Sequence, residues 1–169
     1  MQASEKTLAA IGKQVFETMA FVFEMPGGEG PVGGEETVRA TVEFEGPICG
    51  SLALTLPRKL LPEMVVNMLG EDEGASLPEQ TLHDAVGELA NVICGNLVQA
   101  IAGPQPVFRL TSPRIEINPD AAVLAPSAGA ATSAWLTLES GWAQLTLIIE
   151  EPAAAAATPS ACIPVAHAR

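Results

Sequence analysis

The stretch from Ser76 to Gly103 reads SLPEQTLHDAVGELANVICGNLVQAIAG and carries both a helix start and a helix stop. Ser76 followed by Glu79 is the pattern of a capping box, in which each side chain bonds a backbone amide of the first turn. Pro78 is tolerated there, because the amide that it lacks would be unpaired anyway. Gly103 followed by Pro104 is a stop signal. The sequence therefore predicts one long helix over this stretch.

The predicted helix has an apolar face and, on its far side, a row of polar positions. At about 100° per residue, the apolar positions fall within roughly 100° of one another. They are Leu82, Val86, Leu89, Ile93, Leu97, Ala100 and Ile101. The far side carries Asp84, Glu88, Asn91, Gly95 and Gln99, which we call the polar row. Its members are one turn apart, so their side chains stack along the helix axis.

A polar row opposite an apolar face is also typical of an ordinary solvated helix, so the pattern alone leaves both interpretations open. Two features favour a binding surface. No Lys or Arg occurs between Ser76 and Gly103, so the i,i+4 Glu–Lys pairs of a solvated helix are missing. Gly95 costs about 1 kcal/mol relative to alanine inside a helix, which indicates close approach by another group.

Length, charge and cysteine content limit the classes of protein. A chain of 169 residues is long enough for one domain with its own core. Its net charge of −12 disfavours nucleic acid and anionic membranes as partners. The excess of acidic residues either keeps the protein soluble or steers it toward a partner with a basic surface. The N-terminus lacks the pattern of a secretory signal, and no uninterrupted apolar run reaches the ~18 residues of a spanning helix. Three scattered cysteines without metal spacing predict free thiols and a cytoplasmic protein, with Cys49 and Cys94 buried.

The rest of the chain predicts a sheet and one further long helix. Glu5 to Met25 has helical spacing, residues 26–34 form a flexible turn segment, and Pro57 to Leu69 is a short helix closed by Gly70. The predicted strands are Thr37–Phe44, Ile48–Leu56, Val107–Ile117 with a break near Pro113, Thr132–Glu139 and Ala143–Glu150. In the first of them Val38, Ala40, Val42 and Phe44 alternate with charged or polar neighbours, which predicts one buried and one wet face. Hairpin turns fall at Glu45-Gly46-Pro47 and Ser140-Gly141. Met64, Met68, Trp135 and Trp142 are expected to pack rather than bind.

Strands joined by hairpins predict a largely antiparallel sheet. The fold class is therefore α+β, with the two long helices packed on the sheet. We expect a single domain over residues 1–151. Residues 152–169 are rich in Ala and Pro and form a tail that adds nothing to the core.

Signatures of a self-contained enzyme are missing. The only histidines are His83 and His167, and there is no Cys-x-x-Cys and no HExxH. Gly27–Gly34 is Gly-rich but has no Lys and no following helix, which excludes a phosphate-binding P-loop. Asp84 and Glu88 could form an acid/base pair, although nothing apolar lies beside them to support that chemistry. No metal site is predicted.

The string Asp84-x-x-x-Glu88-x-x-Asn91-x-x-x-Gly95-Asn96 resembles the signature of the CheC/CheX chemotaxis phosphatases. Val86–Asn96 is closest to the CheX branch, and Phe16–Phe21 in the first helix is similar to it as well. The resemblance covers about residues 4 to 150 and agrees with the predicted fold. It implies bacterial chemotaxis and two-component signalling. The family also contains homodimers, so the resemblance leaves a homodimer open.

The resemblance implies hydrolysis of the aspartyl phosphate on a response-regulator receiver domain such as CheY. The receiver brings its own Mg²⁺ and Lys, so this chain is expected to need no cofactor. Asn91 would lie beside the phosphate and position the water, and Glu88 would bind the receiver's Lys. Asp84 and Gln99 would be rim contacts, and Gly95 would admit the partner's backbone.

Two departures from the family and one competing class remain open. The CheC branch carries a second motif on its first helix, where this chain has Glu17-x-x-Ala20, so we expect a single site. Asn96 projects toward the apolar side of the predicted helix, which predicts a buried structural amide. The competing class is a non-catalytic receiver-binding or flagellar-switch-like interaction module. The retained Glu88–Asn91 pair favours the enzyme.

Overall fold

A computed structural model of the chain describes residues 4–25, 34–72, 74–119 and 130–150. The helices are α1 (Glu5–Val15), α2 (Leu61–Leu69) and α3 (Glu79–Ala102). A π-helical turn (Phe16–Ala20) continues α1, and a 3₁₀ turn (Arg58–Leu60) precedes α2. The strands are β1 (Thr37–Glu45), β2 (Cys49–Pro57), β3 (Arg109–Leu110), β4 (Arg114–Ile117), β5 (Ala130–Leu138) and β6 (Gly141–Glu150). Most of the predicted turn segment 26–34 and the predicted tail 152–169 lie outside the described residues.

The strands form one sheet in which every described pairing is antiparallel. Its order is β3-β1-β2-β6-β5, and β4 pairs with β1 on the same edge as β3. β1 and β2 form the predicted hairpin, with Phe44 opposite Gly50. β5 and β6 pair up to Leu138 and Gly141, so the two-residue turn is Glu139-Ser140, one residue earlier than predicted. The α+β class with an antiparallel sheet is confirmed.

The core lies between one face of the sheet and the helices. α1 packs over β5 and α3 over β1, with the two helices in contact. The alternation predicted for β1 is confirmed, because Val38, Ala40, Val42 and Phe44 are all at most 1% exposed. Arg39, predicted to be wet, is buried on the opposite face of the sheet and donates from Nε to Thr55 Oγ1 at 3.2 Å. Burial lowers the pKa of this guanidinium from its usual value.

The first helix ends earlier than the sequence predicted. Its α-helical part closes at Val15, the π turn ends at Ala20, and Phe21 takes a left-handed conformation with φ 53°. The chain then runs along β5, where the Met25 amide donates to Thr137 O and the Glu139 amide donates to Phe23 O. The prediction to Met25 was wrong because the backbone of residues 23–25 pairs with the sheet instead of with the helix.

The start of α3 also differs from the prediction. The helix begins at Glu79, Pro78 occupies the cap position, and no side chain caps the first turn. The Glu79 carboxylate accepts a hydrogen bond from Arg58 Nη2 at 2.6 Å, which ties the start of α3 to the turn after β2. The predicted capping box is therefore wrong. The predicted stop is confirmed, because Gly103 has φ 84° and its amide donates to Gln99 O at 2.8 Å.

The cysteines divide into two kinds. Cys94 is a free and completely buried thiol on α3, and burial raises its pKa to about 12. Cys49 is disulfide-bonded, so the prediction of free thiols is wrong for this residue. A cysteine count does not show which cysteines the fold brings within bonding distance.

Met64, Met68 and Trp142 pack as predicted, whereas Trp135 is 47% exposed. Met64 is completely buried in α2 and Met68 packs against the core. Trp142 on β6 is 6% exposed, and its ring centroid lies 5.3 Å from that of the half-exposed Trp135 on β5. The Trp142 Nε1–H donates to Glu35 Oε2 at 2.9 Å.

One described helix, α3, is long and apolar enough to cross a membrane by length and composition alone. Half of its most apolar window is buried inside the protein. A buried face against the sheet is typical of the core helix of a soluble domain.

Candidate functional site on the outer face of α3

The structure places all five members of the polar row on the side of α3 that faces away from the sheet. Asp84, Glu88 and Gln99 are exposed, and Asn91 and Gly95 are partly exposed. On the opposite side, Val86, Leu89, Ile93 and Leu97 are completely buried. The sequence therefore predicted the orientation of this helix correctly. Glu88 and Asn91 are three residues apart, about 4.5 Å along the axis, so both side chains can reach one partner group.

The polar row is acidic at its N-terminal end and carries no cation. Asp84 Oδ1 accepts a hydrogen bond from Gln80 Nε2 at 2.7 Å. Within the described residues, Glu88 and Asn91 make no side-chain hydrogen bond and no ion pair within 4 Å. The described cations that form ion pairs do so elsewhere, at Lys13, Arg58, Lys59 and Arg114. The Glu88 carboxylate and the Asn91 amide are thus available to another molecule.

The chain between β3 and β4 borders the polar row on one side. A Cβ built on Gly87 would lie 3.2 Å from Pro113 Cβ and 3.3 Å from its Cγ. A Cβ built on Gly95 would meet only Leu110 Cδ1, at 3.9 Å. Close packing inside the molecule therefore explains why residue 87 is a glycine. Packing inside the molecule does not require a glycine at position 95. No local sequence pattern signals this border, because it joins residues that are distant in the chain.

The exposure of Asn96 differs from the prediction for this helix. Asn96 was expected to be a buried structural amide, and it is exposed. Ala100, one turn further on the same side, is exposed as well. Among the described residues, no element covers this side of the last turns of α3, so a position on the apolar flank still reaches solvent.

The other candidate groups do not join the polar row. His83 is 17% exposed and its Nε2 lies 3.5 Å from Glu79 Oε1, at the start of the helix. In the π-helical turn after α1, Glu17 lies 3.9 Å from Lys13, and Ala20 is completely buried. No group of three or more His, Cys, Asp or Glu within the described ranges could hold a metal ion.

The fold is shared with solved structures of chemotaxis proteins. A chain of the CheX-CheY-BeF3-Mg²⁺ complex from Borrelia burgdorferi matches with a TM-score of 0.66 and 18% identity, over 88% of this chain and 99% of that one. A CheX from Desulfovibrio desulfuricans matches with a TM-score of 0.63 and 21% identity, over 86% and 97%. A CheC-like superfamily protein from Shewanella sp. PV-4 matches with a TM-score of 0.61 and 23% identity, over 89% and 100%. The architecture is thus that of the CheC/CheX-like proteins.

Sequence places the chain more narrowly within that class. The family described as "Chemotaxis phosphatase CheX" matches residues 38–134, more than half of the 169 residues. The chain therefore belongs to the CheX family of chemotaxis phosphatases. No curated protein sequence matches it. The match includes Asp84–Asn96, the string on which the resemblance depended.

Proposed function

We propose that this protein dephosphorylates the aspartyl phosphate of a CheY-like receiver domain and that the polar row of α3 is its docking and catalytic surface. One observation carries the proposal: Glu88 and Asn91 lie side by side on an open face of α3, with no partner among the described residues. Membership of the CheX family supports the phosphatase activity.

Asn91 is proposed as the catalytic residue because a neutral amide suits the task. An acyl phosphate is already activated, so the chain needs only to hold a water in line with phosphorus. The amide oxygen accepts a hydrogen bond from that water, and the NH₂ group donates to a neighbouring acceptor. A carboxylate at this position would repel the phosphoryl oxygens.

Glu88 is proposed to bind the receiver's active-site Lys and so to set the docking register. Its carboxylate lies one turn before Asn91 and is exposed, which lets it meet a cation before the amide reaches the phosphate. Asp84 and Gln99 are proposed as rim contacts at the two ends of the polar row. The open space above Gly95 would admit the partner's backbone.

The partner and the metal follow from the same reasoning. The similar fold from Borrelia burgdorferi belongs to a complex with CheY, BeF3 and Mg²⁺, which supports a CheY-like receiver as partner and Mg²⁺ on the receiver. We propose that this chain brings no cofactor of its own. A cytoplasmic location and a homodimer remain proposals.

The experiment mixes the protein with a phosphorylated CheY-like receiver and follows phosphate release. The proposal expects faster release than from the receiver alone. Glu88→Lys should weaken receiver binding more than about tenfold, because it replaces one partner of a charge pair by a like charge. Glu63→Lys on the exposed side of α2 is the matched control and should bind normally. Binding without faster release would support the non-catalytic interaction module instead.

A further inference from the structure

We propose that the chain between β3 and β4 is a second wall of the receiver-binding surface, and that Ser112 is its contact residue. This inference rests on the proposed function. The segment lies outside the family signature on α3 and makes two contacts with the helix.

The two contacts place the segment beside Asn91. Pro113 packs on Gly87 and Leu110 lies next to Gly95, so the segment runs antiparallel to α3. Gly87 and Gly95 are eight residues apart, about 12 Å along the axis, and three extended residues span about 10 Å. Asn91 is midway between the glycines along the helix and about 40° from each around it. The segment therefore passes beside the turn of α3 that carries Asn91, which is partly exposed.

The wall is rigid at one of its two middle residues. The Thr111 amide donates to Glu43 O at 2.9 Å, and Thr111 Oγ1 accepts from the Glu43 amide at 3.0 Å. The amide and the hydroxyl of Thr111 thus hold the segment on β1. Pro113 restricts the residue before it to extended backbone, which limits the conformations of Ser112 as well.

Ser112 is the residue of the wall that faces outward. It is exposed, and within the described residues its hydroxyl has no partner. A hydroxyl can donate and accept, so it suits the backbone groups that surround a receiver's phosphorylation site. Because the wall is held in place before binding, this contact costs little ordering. Ser112 is therefore a positioning residue that adds affinity for the receiver and leaves the chemical step to Asn91.

The test measures dephosphorylation against receiver concentration for Ser112→Trp, Ser112→Thr and the unchanged protein. A bulky indole on an exposed wall should raise KM about tenfold by blocking approach, with kcat unchanged. Ser112→Thr keeps the hydroxyl and should have the same KM as the unchanged protein. Gln14→Trp, on the exposed side of α1, is the matched control and should leave KM unchanged.

A second arm separates this inference from the proposed function. The dissociation constant of the receiver loaded with beryllofluoride is measured for the same variants, and Ser112→Trp should raise it by the same factor. If the unchanged protein binds but does not accelerate phosphate loss, the proposed function fails while the wall is still judged by binding. An unchanged KM and dissociation constant in Ser112→Trp would overturn the wall, and a receiver that does not bind at all overturns both.

Discussion

At the scale of single residues, the two glycines that flank Asn91 have different reasons to be glycine. Gly87 lies under Pro113, where a Cβ would approach two ring carbons within 3.3 Å. Gly95 has ordinary space, with one side-chain carbon at 3.9 Å. Glycine inside a helix costs about 1 kcal/mol relative to alanine, and packing offsets that cost only at Gly87. The cost at Gly95 fits a requirement imposed from outside the molecule.

Substituting each glycine by alanine should separate the two reasons. Gly95→Ala should raise the free energy of unfolding by up to about 1 kcal/mol through helix propensity, and should weaken receiver binding. Gly87→Ala should not show this gain, because overpacking against Pro113 opposes the helix-propensity gain. Urea denaturation and receiver titration of both variants check this. Unchanged receiver binding by a stable Gly95→Ala protein would show that nothing approaches the helix there.

At the scale of elements, the sequence correctly predicted the features that depend only on a local pattern of residues. The face of α3, the alternation of β1 and the stop at Gly103 all depend on periodicity or on one backbone conformation, and all three are confirmed. The prediction for the start of α3 was wrong because the Glu79 side chain bonds Arg58, which lies 21 residues earlier in the chain. The prediction for the end of the first helix was wrong because the backbone beyond Phe21 pairs with β5. These competing partners come from other elements, so a local pattern does not contain them.

The Glu35 carboxylate joins three parts of the fold and gives a pH prediction. It lies before β1 and accepts hydrogen bonds from Lys59 Nζ and from Trp142 Nε1. These bonds hold its pKa below the usual 4.5. Because the folded pKa is lowered, the stabilisation is complete above the unfolded pKa and is lost as pH falls through the folded value. Its size should be below about 1 kcal/mol, since the pair with Lys59 is solvent-screened.

The Trp142 indole proton reports this titration directly. Its NMR chemical shift should change with pH, with a midpoint below 4.5, because the carboxylate that accepts its hydrogen bond becomes protonated. Glu35→Gln removes the ionisable group and serves as the control, in which the change should disappear. A midpoint at or above 4.5, or the same titration in Glu35→Gln, would contradict the assigned network.

At the scale of the whole molecule, α1 and α3 lie together on one face of the sheet, but within the described residues only α3 carries a Glu-x-x-Asn pair. In the π-helical turn that continues α1, the position that corresponds to Asn91 is Ala20, which is completely buried. The sequence predicts a single site from the missing amide, and it predicted the α+β architecture from the hairpins. It did not predict the wall at Leu110–Pro113, because a contact between Gly87 and Pro113 spans 26 residues of chain and depends on how α3 crosses β1.

One receiver should therefore bind per chain. Isothermal titration with a receiver held in its phosphorylated state by beryllofluoride should give a stoichiometry of one, and Glu88→Lys should abolish the binding heat. Glu17→Lys in the π-helical turn that continues α1 is the matched control, because that helical segment offers no second site, and it should leave the stoichiometry unchanged. Two receivers per chain, or a stoichiometry that depends on Glu17, would contradict the single-site account.

The proposed chemistry depends on the amide of Asn91, and the rate of receiver dephosphorylation under saturating protein tests it most directly. Asn96→Ala is the matched control, because it removes the same group from the same helix at an exposed position about 140° away. The account predicts that Asn91→Ala still binds the receiver but loses at least about a hundredfold of the acceleration, while Asn96→Ala keeps it. An Asn91→Ala protein that dephosphorylates the receiver as fast as the unchanged chain would contradict the account.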